Sequence, residues 1–354
     1  MVRDGLYVVA VGASTPIGRD ALSSAAAVRA GITGFTEHPF MIDTAGEPMR
    51  VARAPWLDID CDLYDRFAAL LVPALEQVLE PLRLRWDRPL RLALALGLPS
   101  PKPGVPADLA HRLGALVASC FPGQFVATAT FPVGHAGGLL GLNAAFLKLS
   151  QGAFDACVVA GVDSYLEPET LEWLEENDQL HGAGRLNNAW GLIPGEAAGA
   201  ALVTSSAIAE CLPTQPLARL LRVGCGFEEN RIKTETVCIG EGLTAAFRAA
   251  LAGLPSGERV TDVFCDMNGE PYRADEFGFA ALRTSESFVS VSDFIAPADC
   301  WGDVSAASAP LALALSTIAG QKAYAKGTYV LVSTSSESGE RGAALLELPL
   351  RREQ

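Results

Sequence analysis

The chain has 354 residues, of which 49% are hydrophobic and 19% charged, a balance that excludes a disordered chain and allows a sizeable core. Its formal charge of −14 excludes a phosphate backbone as ligand, because such binding needs an excess of Lys and Arg contacts, and it argues equally against an anionic membrane surface. The length suits two domains, or one large domain made of two fused halves.

In chain order, "LYVVAVGA" reads as a buried strand, and after "STPIG" a helix is expected over 19–30. "DLYDRFAALLVPALEQVLEPL" carries apolar residues at helical spacing, and "RLALALGL" returns as a buried strand. A helix over 106–120 precedes the strand "QFVATATFPV", then come a small-residue corner and an apolar helix over 138–150. "DACVVAGVDS" and "GEAAGAALVTSS" are the next two strands.

The grammar then starts again. "ARLLRVGCGFEE" reads as a strand, "EGLTAAFRAALAGL" as a helix, "VTDVFCDMNG" as a strand, "VSAASAPLALALSTIAGQ" as a helix, and "GTYVLVSTSS" with "GAALLELPL" as a closing pair. This repetition suggests a duplicated chain, with one half over 1–212, the second over 213–354, and the join at 213–216.

The eight cysteines show no CxxC spacing, and several lie in apolar runs where a reduced thiol acts as a small hydrophobe. The opening apolar run is too short for a signal sequence, and no later run reaches spanning length free of charge, so a cytoplasmic protein off the membrane is expected. His38 and His111 stand alone in polar contexts and read as surface residues. "HGAGR" at His181 reads as a solvated turn, and "WLEENDQ" as an exposed helix end. Glu196 in "GEAAG" is expected to hold backbone N–H groups.

With the corner "FPVGHAGGLLGL", then "GAFDACVVAGVDS" and "PGEAAGAALV" in this order, the chain resembles the thiolase superfamily, and within it the β-ketoacyl-acyl-carrier-protein synthases. The opening "VVAVGASTPIG" is similar to the first strand and turn of those enzymes. The resemblance implies a five-layered αβαβα thiolase-like fold built from two duplicated halves, and a homodimer joined through the strand that leads into the corner.

Counting back from Leu139 puts the family's nucleophilic cysteine at His135. Aligning Gly269 and Pro271 of "CDMNGEP" puts its first histidine at Asp266, and "CWGDVSAASAP" puts its second at Asp303. Cys265, Cys300 and Asn268 are expected near the same pocket, and Gly339 in "SSESGERGAAL", where the family's aromatic gate is missing. A histidine cannot form the acyl thioester, and two carboxylates offer acceptors where an enolate needs donors. The resemblance thus implies a protein that has lost the Cys-His-His condensing chemistry, an accessory or scaffold of a biosynthetic or secretion locus.

Three readings of His135, Asp266 and Asp303 stay open: a buried hydrogen-bonded cluster in a dead site, a hard divalent cation site, or a divergent acyltransferase using the pocket for acid/base work. No cofactor or metal is assigned. An acyl carrier protein or a CoA thioester is the partner to test, and Arg185, Arg273 and Arg341 are the residues that could give its phosphate a basic mouth.

Overall fold

In the computed structural model, residues 5–83, 89–185 and 187–349 are described; the predicted closing strand extends to Leu350, outside them. The first half runs β1 (Leu6–Ser14), α1 (Ala21–Arg29), β2 (Phe35–Ile42), β3 (Pro48–Ala52), α2 (Leu63–Leu79), β4 (Leu92–Gly97), α3 (Leu109–Cys120), β5 (Ala127–Phe131), α4 (Gly137–Ser150), β6 (Ala156–Ser164), α5 (Pro168–Glu176), β7 (Glu196–Ser205) and α6 (Ser206–Cys211). The second runs β8 (Ala218–Phe227), α7 (Glu241–Leu251), β9 (Asp262–Cys265), α8 (Pro271–Arg283), β10 (Phe294–Ile295), α9 (Ala298–Trp301), α10 (Ser308–Gln321), β11 (Tyr329–Ser335) and β12 (Glu340–Glu347). The β2–β3 hairpin, β10 and α8 carry no clear signal in the sequence reading.

Among the described residues, the strands other than the β2–β3 hairpin form one sheet, ordered β10-β9-β11-β12-β8-β1-β7-β6-β4-β5. Numbered within its own half, each set of five has the order third, second, fourth, fifth, first. The senses repeat as well: β4 is parallel to β5 and β6, and β9 is parallel to β10 and β11, while the remaining pairs are antiparallel. The halves meet where β1 and β8 pair over Leu6–Leu220, Tyr7–Arg219 and Val8–Ala218.

Three of the four apolar clusters among the described residues lie between the five layers. One packs α2 and α3 on the outer face of the first half, and another packs α7 and α8 on the outer face of the second. The third holds α4 and α10 between the two sheet halves. Twelve of the fourteen residues of α10 are buried, which an amphipathic surface helix could not allow. All eight cysteines are free thiols, and among the described residues no helix is long and apolar enough to cross a membrane.

The two central helices are entered in the same way. Short 3-10 turns, Gly134–Ala136 after β5 and Ser305–Ala307 after α9, lead directly into α4 and α10. Both turns open in the left-handed region, with φ of 72° at Gly134 and 39° at Ser305. The second passes over Gly161 of β6, where a Cβ would lie 2.1 Å from the Ala306 carbonyl oxygen, so only glycine fits.

Candidate functional site

His135 sits in the first of these turns and is buried. Asp303 stands two residues before the second turn opens, its backbone fixed by Asp303 N–H to Ile193 O (2.7 Å) and Gly195 N–H to Asp303 O (2.8 Å). Its two carboxylate oxygens lie 2.9 and 3.0 Å from His135 Nε2. Asn268 Nδ2 donates to Asp303 at 2.6 Å, and the Ser305 N–H at 2.8 Å. Burial raises the Asp303 carboxyl, but the adjacent His135, followed by Arg273 and Asn268, more than reverses this and holds it well below the usual carboxylate range.

Asp266, at the end of β9, is nearby but turned to a different partner. Its Oδ2 accepts from Arg273 Nη1 (3.1 Å) and from the Ser335 N–H (2.8 Å). Arg273, on α8, reaches the imidazole instead, with Nη2 3.3 Å from His135 Nε2 and 3.5 Å from Nδ1. The site is thus a row, Asp266, Arg273, His135, Asp303, with the two basic side chains side by side and a carboxylate at each end. A guanidinium lies against the imidazole where a cation would have to sit, so this set does not fit a metal.

Sequence reasoning missed the outer ring of this network. Glu270 accepts from Asn268 (2.9 Å), Gln179 (3.3 Å), Arg273 Nε (3.4 Å) and the Tyr272 hydroxyl. Lys233 bridges Glu337 (2.6 Å) and Glu270 (3.4 Å). On the other side Lys102 pairs with Asp163 at 3.1 Å and lies 3.6 Å from the Tyr165 ring centroid. Burial raises the Glu337 carboxyl; Lys233, then Arg273 and His135, bring it below its ordinary value.

Helix N-termini converge here, and three amides at them are occupied. Ser305 N–H donates to Asp303, Ala306 N–H reaches Asp163 at 3.5 Å, and Ala136 N–H donates to Ser336 Oγ at 2.9 Å. Donors of this kind would otherwise stabilise a developing oxyanion. The space left is small: three voids of about 20, 10 and 20 Å³, each the size of one or two waters. A far larger groove, about 810 Å³, lies away from His135 between β1, the start of β8 and the end of α10.

Of the remaining expected pocket residues, Cys265 borders two of the voids, one of them also lined by Asp266 and Asn268, and burial pushes its thiol up to about 12. Cys300 is outside the lining of all three voids; its carbonyl accepts from Gly34 N–H at 2.8 Å. Gly339 forms the turn between β11 and β12, with φ of 119° and its carbonyl accepting from Glu228 N–H.

The basic mouth is not built as the sequence suggested. Arg273 is consumed inside the network, and Arg341 is fully buried with Nε 2.6 Å from Glu276, leaving Arg185 exposed. His38 is buried rather than superficial, because its Nδ1 accepts from the Phe40 and Met41 N–H groups. Glu196 holds the Ala54 N–H at 2.8 Å and also a buried ion pair with Arg66 at 3.0 Å. Glu228, Cys238 and Glu276 bring ligand atoms within 4.8 Å of one another, but Arg341 already supplies the positive charge there.

No family model matches the chain, and no curated protein matches it. Solved structures do. Over 99% of this chain and 100% of the other, it superposes with a TM-score of 0.77 and 13% identity on a chain from AntDE:AntF, a type II PKS acyl-carrier protein in complex with its ketosynthase. The ishigamide ketosynthase/chain length factor matches over 97% of this chain and 99% of the other, at 24% identity and a TM-score of 0.67. The ketosynthase from module 6 of the bacillaene synthase of Bacillus subtilis 168 matches over 98% of this chain and 72% of the other, at 14% identity and a TM-score of 0.73. The chain therefore has the ketosynthase-like thiolase fold. Its chemistry rests on its own residues.

Proposed function

We propose that this protein is a non-condensing, ketosynthase-like subunit, an accessory or scaffold of a cytoplasmic biosynthetic or secretion assembly, and that it pairs as a homodimer. One observation carries the reading: the row Asp266, Arg273, His135, Asp303 fills space at the head of α4 and α10, and the voids it borders measure about 10–20 Å³. An acyl chain needs a pocket more than tenfold larger. His135 has no thiol to acylate, and the aspartates replace donors with acceptors.

Pairing is supported by β5. It lies at one end of the sheet with Ala127, Thr128, Ala129 and Thr130 all exposed, an open edge suited to a second strand. The likeness to a ketosynthase held with an acyl-carrier protein, and to a ketosynthase/chain length factor, supports an assembly that handles carrier-bound acyl groups.

The test is intact-protein mass spectrometry after incubation with a panel of acyl-CoA and acyl-carrier thioesters. The unmodified mass is expected throughout. A stable acyl adduct, or turnover of any thioester, would replace this reading with that of a divergent acyltransferase working through His135, Asp266 and Asp303.

A further inference from the structure

We propose that the groove of about 810 Å³ between β1, the start of β8 and the end of α10 receives an uncharged, extended peptide that pairs with the backbone of Val11. The strands leave that position open. β1 and β8 pair only over Leu6–Leu220, Tyr7–Arg219 and Val8–Ala218, and Leu217 N–H to Val8 O (2.8 Å) closes the ladder. Val9 is then a bulge, because the register on β7 steps from Val8–Val203 to Ala10–Leu202. Further along, Gln77 holds both backbone groups of Ala13 on the side turned away from β7, accepting from its N–H at 3.1 Å and donating to its O at 2.9 Å. Backbone groups alternate in direction along an antiparallel strand, so the N–H and C=O of Val11, two residues earlier, also turn away from β7. Val11 lines the groove on that side, and no strand or side chain among the described residues pairs with it there.

The walls select the occupant. Val9, Leu22, Leu217, Ile318 and Leu348 make them apolar, and Leu22 is left 52% exposed. The charged residues among the described lining, Arg219 and Glu347, pair with each other at 3.4 Å, so the groove offers a charged ligand no uncompensated counter-charge. A neutral peptide strand matches this lining with its side chains, and it brings the N–H and C=O that the Val11 edge lacks. The volume is that of a cleft for a small ligand, which suits a few extended residues and excludes a folded domain. None of Asp266, Arg273, His135 and Asp303 lines the groove, so the inference stands apart from the reading of the His135 chamber.

Photo-crosslinking on the full chain tests the site. The probe is acetyl-Val-Ala-Leu-Ala-amide with photo-leucine in place of its leucine, and the cross-links are located by peptide mass spectrometry. Saturable labelling is expected within 7–22, 214–219 and 318–321, the segments that line the groove. The same peptide methylated at every backbone nitrogen keeps its apolar side chains and loses its N–H donors; its labelling should fall roughly ten-fold, the scale of the hydrogen bonding forfeited. Leu22→Asp puts a charge on the apolar wall at an exposed position and should lower labelling several-fold with the thermal midpoint unchanged. Equal labelling by the methylated peptide would show that the groove takes apolar molecules without pairing to β1, and would overturn the proposal. An unchanged yield in Leu22→Asp, or the absence of saturable labelling in those segments, would overturn it as well.

Discussion

Asp303 grips the His135 ring with both carboxylate oxygens, 2.9 and 3.0 Å from Nε2, and does so across 168 residues of sequence. This contact ties the heads of the two central helices to each other. Removing His135 takes one partner from a buried carboxylate that keeps Asn268 and the Ser305 N–H. His135→Ala is expected to destabilise the fold by about 1–3 kcal/mol, the cost of losing a partner of a buried polar group. Urea unfolding measures it, and a change below about 1 kcal/mol would show that the pair is peripheral to stability.

A thiol restored at this position should remain unacylated. His135→Cys supplies the nucleophile, but the chamber around it offers voids of only about 10–20 Å³. Mass spectrometry with acyl-CoA thioesters is expected to show no more adduct than the unmodified protein. A stoichiometric thioester would show that the chamber opens widely enough for a substrate.

Acid should loosen the protein through Asp303 and Glu337. Both carboxyls have folded values below their unfolded ones, so they bind protons more weakly in the folded chain. Their stabilisation is complete above the unfolded carboxylate range, about pH 4, and is lost as pH falls below it. Urea midpoints should therefore drop steeply between about pH 4 and pH 2. In Asp303→Asn the midpoint should start lower at neutral pH and fall with a shallower slope.

Glu196 should prove structural. It holds the Ala54 N–H, the Ser164 hydroxyl and Arg66 together. Glu196→Ala leaves Arg66 buried without its ion pair and is expected to cost about 3–5 kcal/mol. Glu196→Gln keeps an acceptor for Ala54 and should cost less. Thermal unfolding of the two variants checks the order.

The open edge of β5 predicts the behaviour of the particle in solution. Ala129→Arg places a charge on an exposed residue of that strand and should convert a dimer to a monomer, read as a halved mass by light scattering, with the far-ultraviolet circular dichroism unchanged. An unchanged mass would move the interface elsewhere.

Much of this was legible in the sequence, because buried strands and all-apolar helices announce themselves by composition. "VSAASAPLALALSTIAGQ" is apolar on every side, and α10 is the helix at the centre of the molecule. The corner before Leu139 put His135 at the head of α4 by spacing alone. The gaps in the reading have a physical cause. Arg273 reads as a free cation beside a loop, and nothing local shows that Glu270, three residues earlier, Asp266 and a histidine 138 residues away would close around it. Lys102 and Lys233 were missed for the same reason: their ion pairs form between segments remote in sequence. The i, i+3 spacing of Glu270 and Arg273 was the available hint.

The convergence of α4 and α10 has a wider consequence. Two bundles of aligned peptide dipoles bring partial positive charge to one point regardless of which side chains surround it. Carboxylates such as Asp163 and Asp303 are welcome there, so acidic side chains at this point suit the electrostatics of the scaffold.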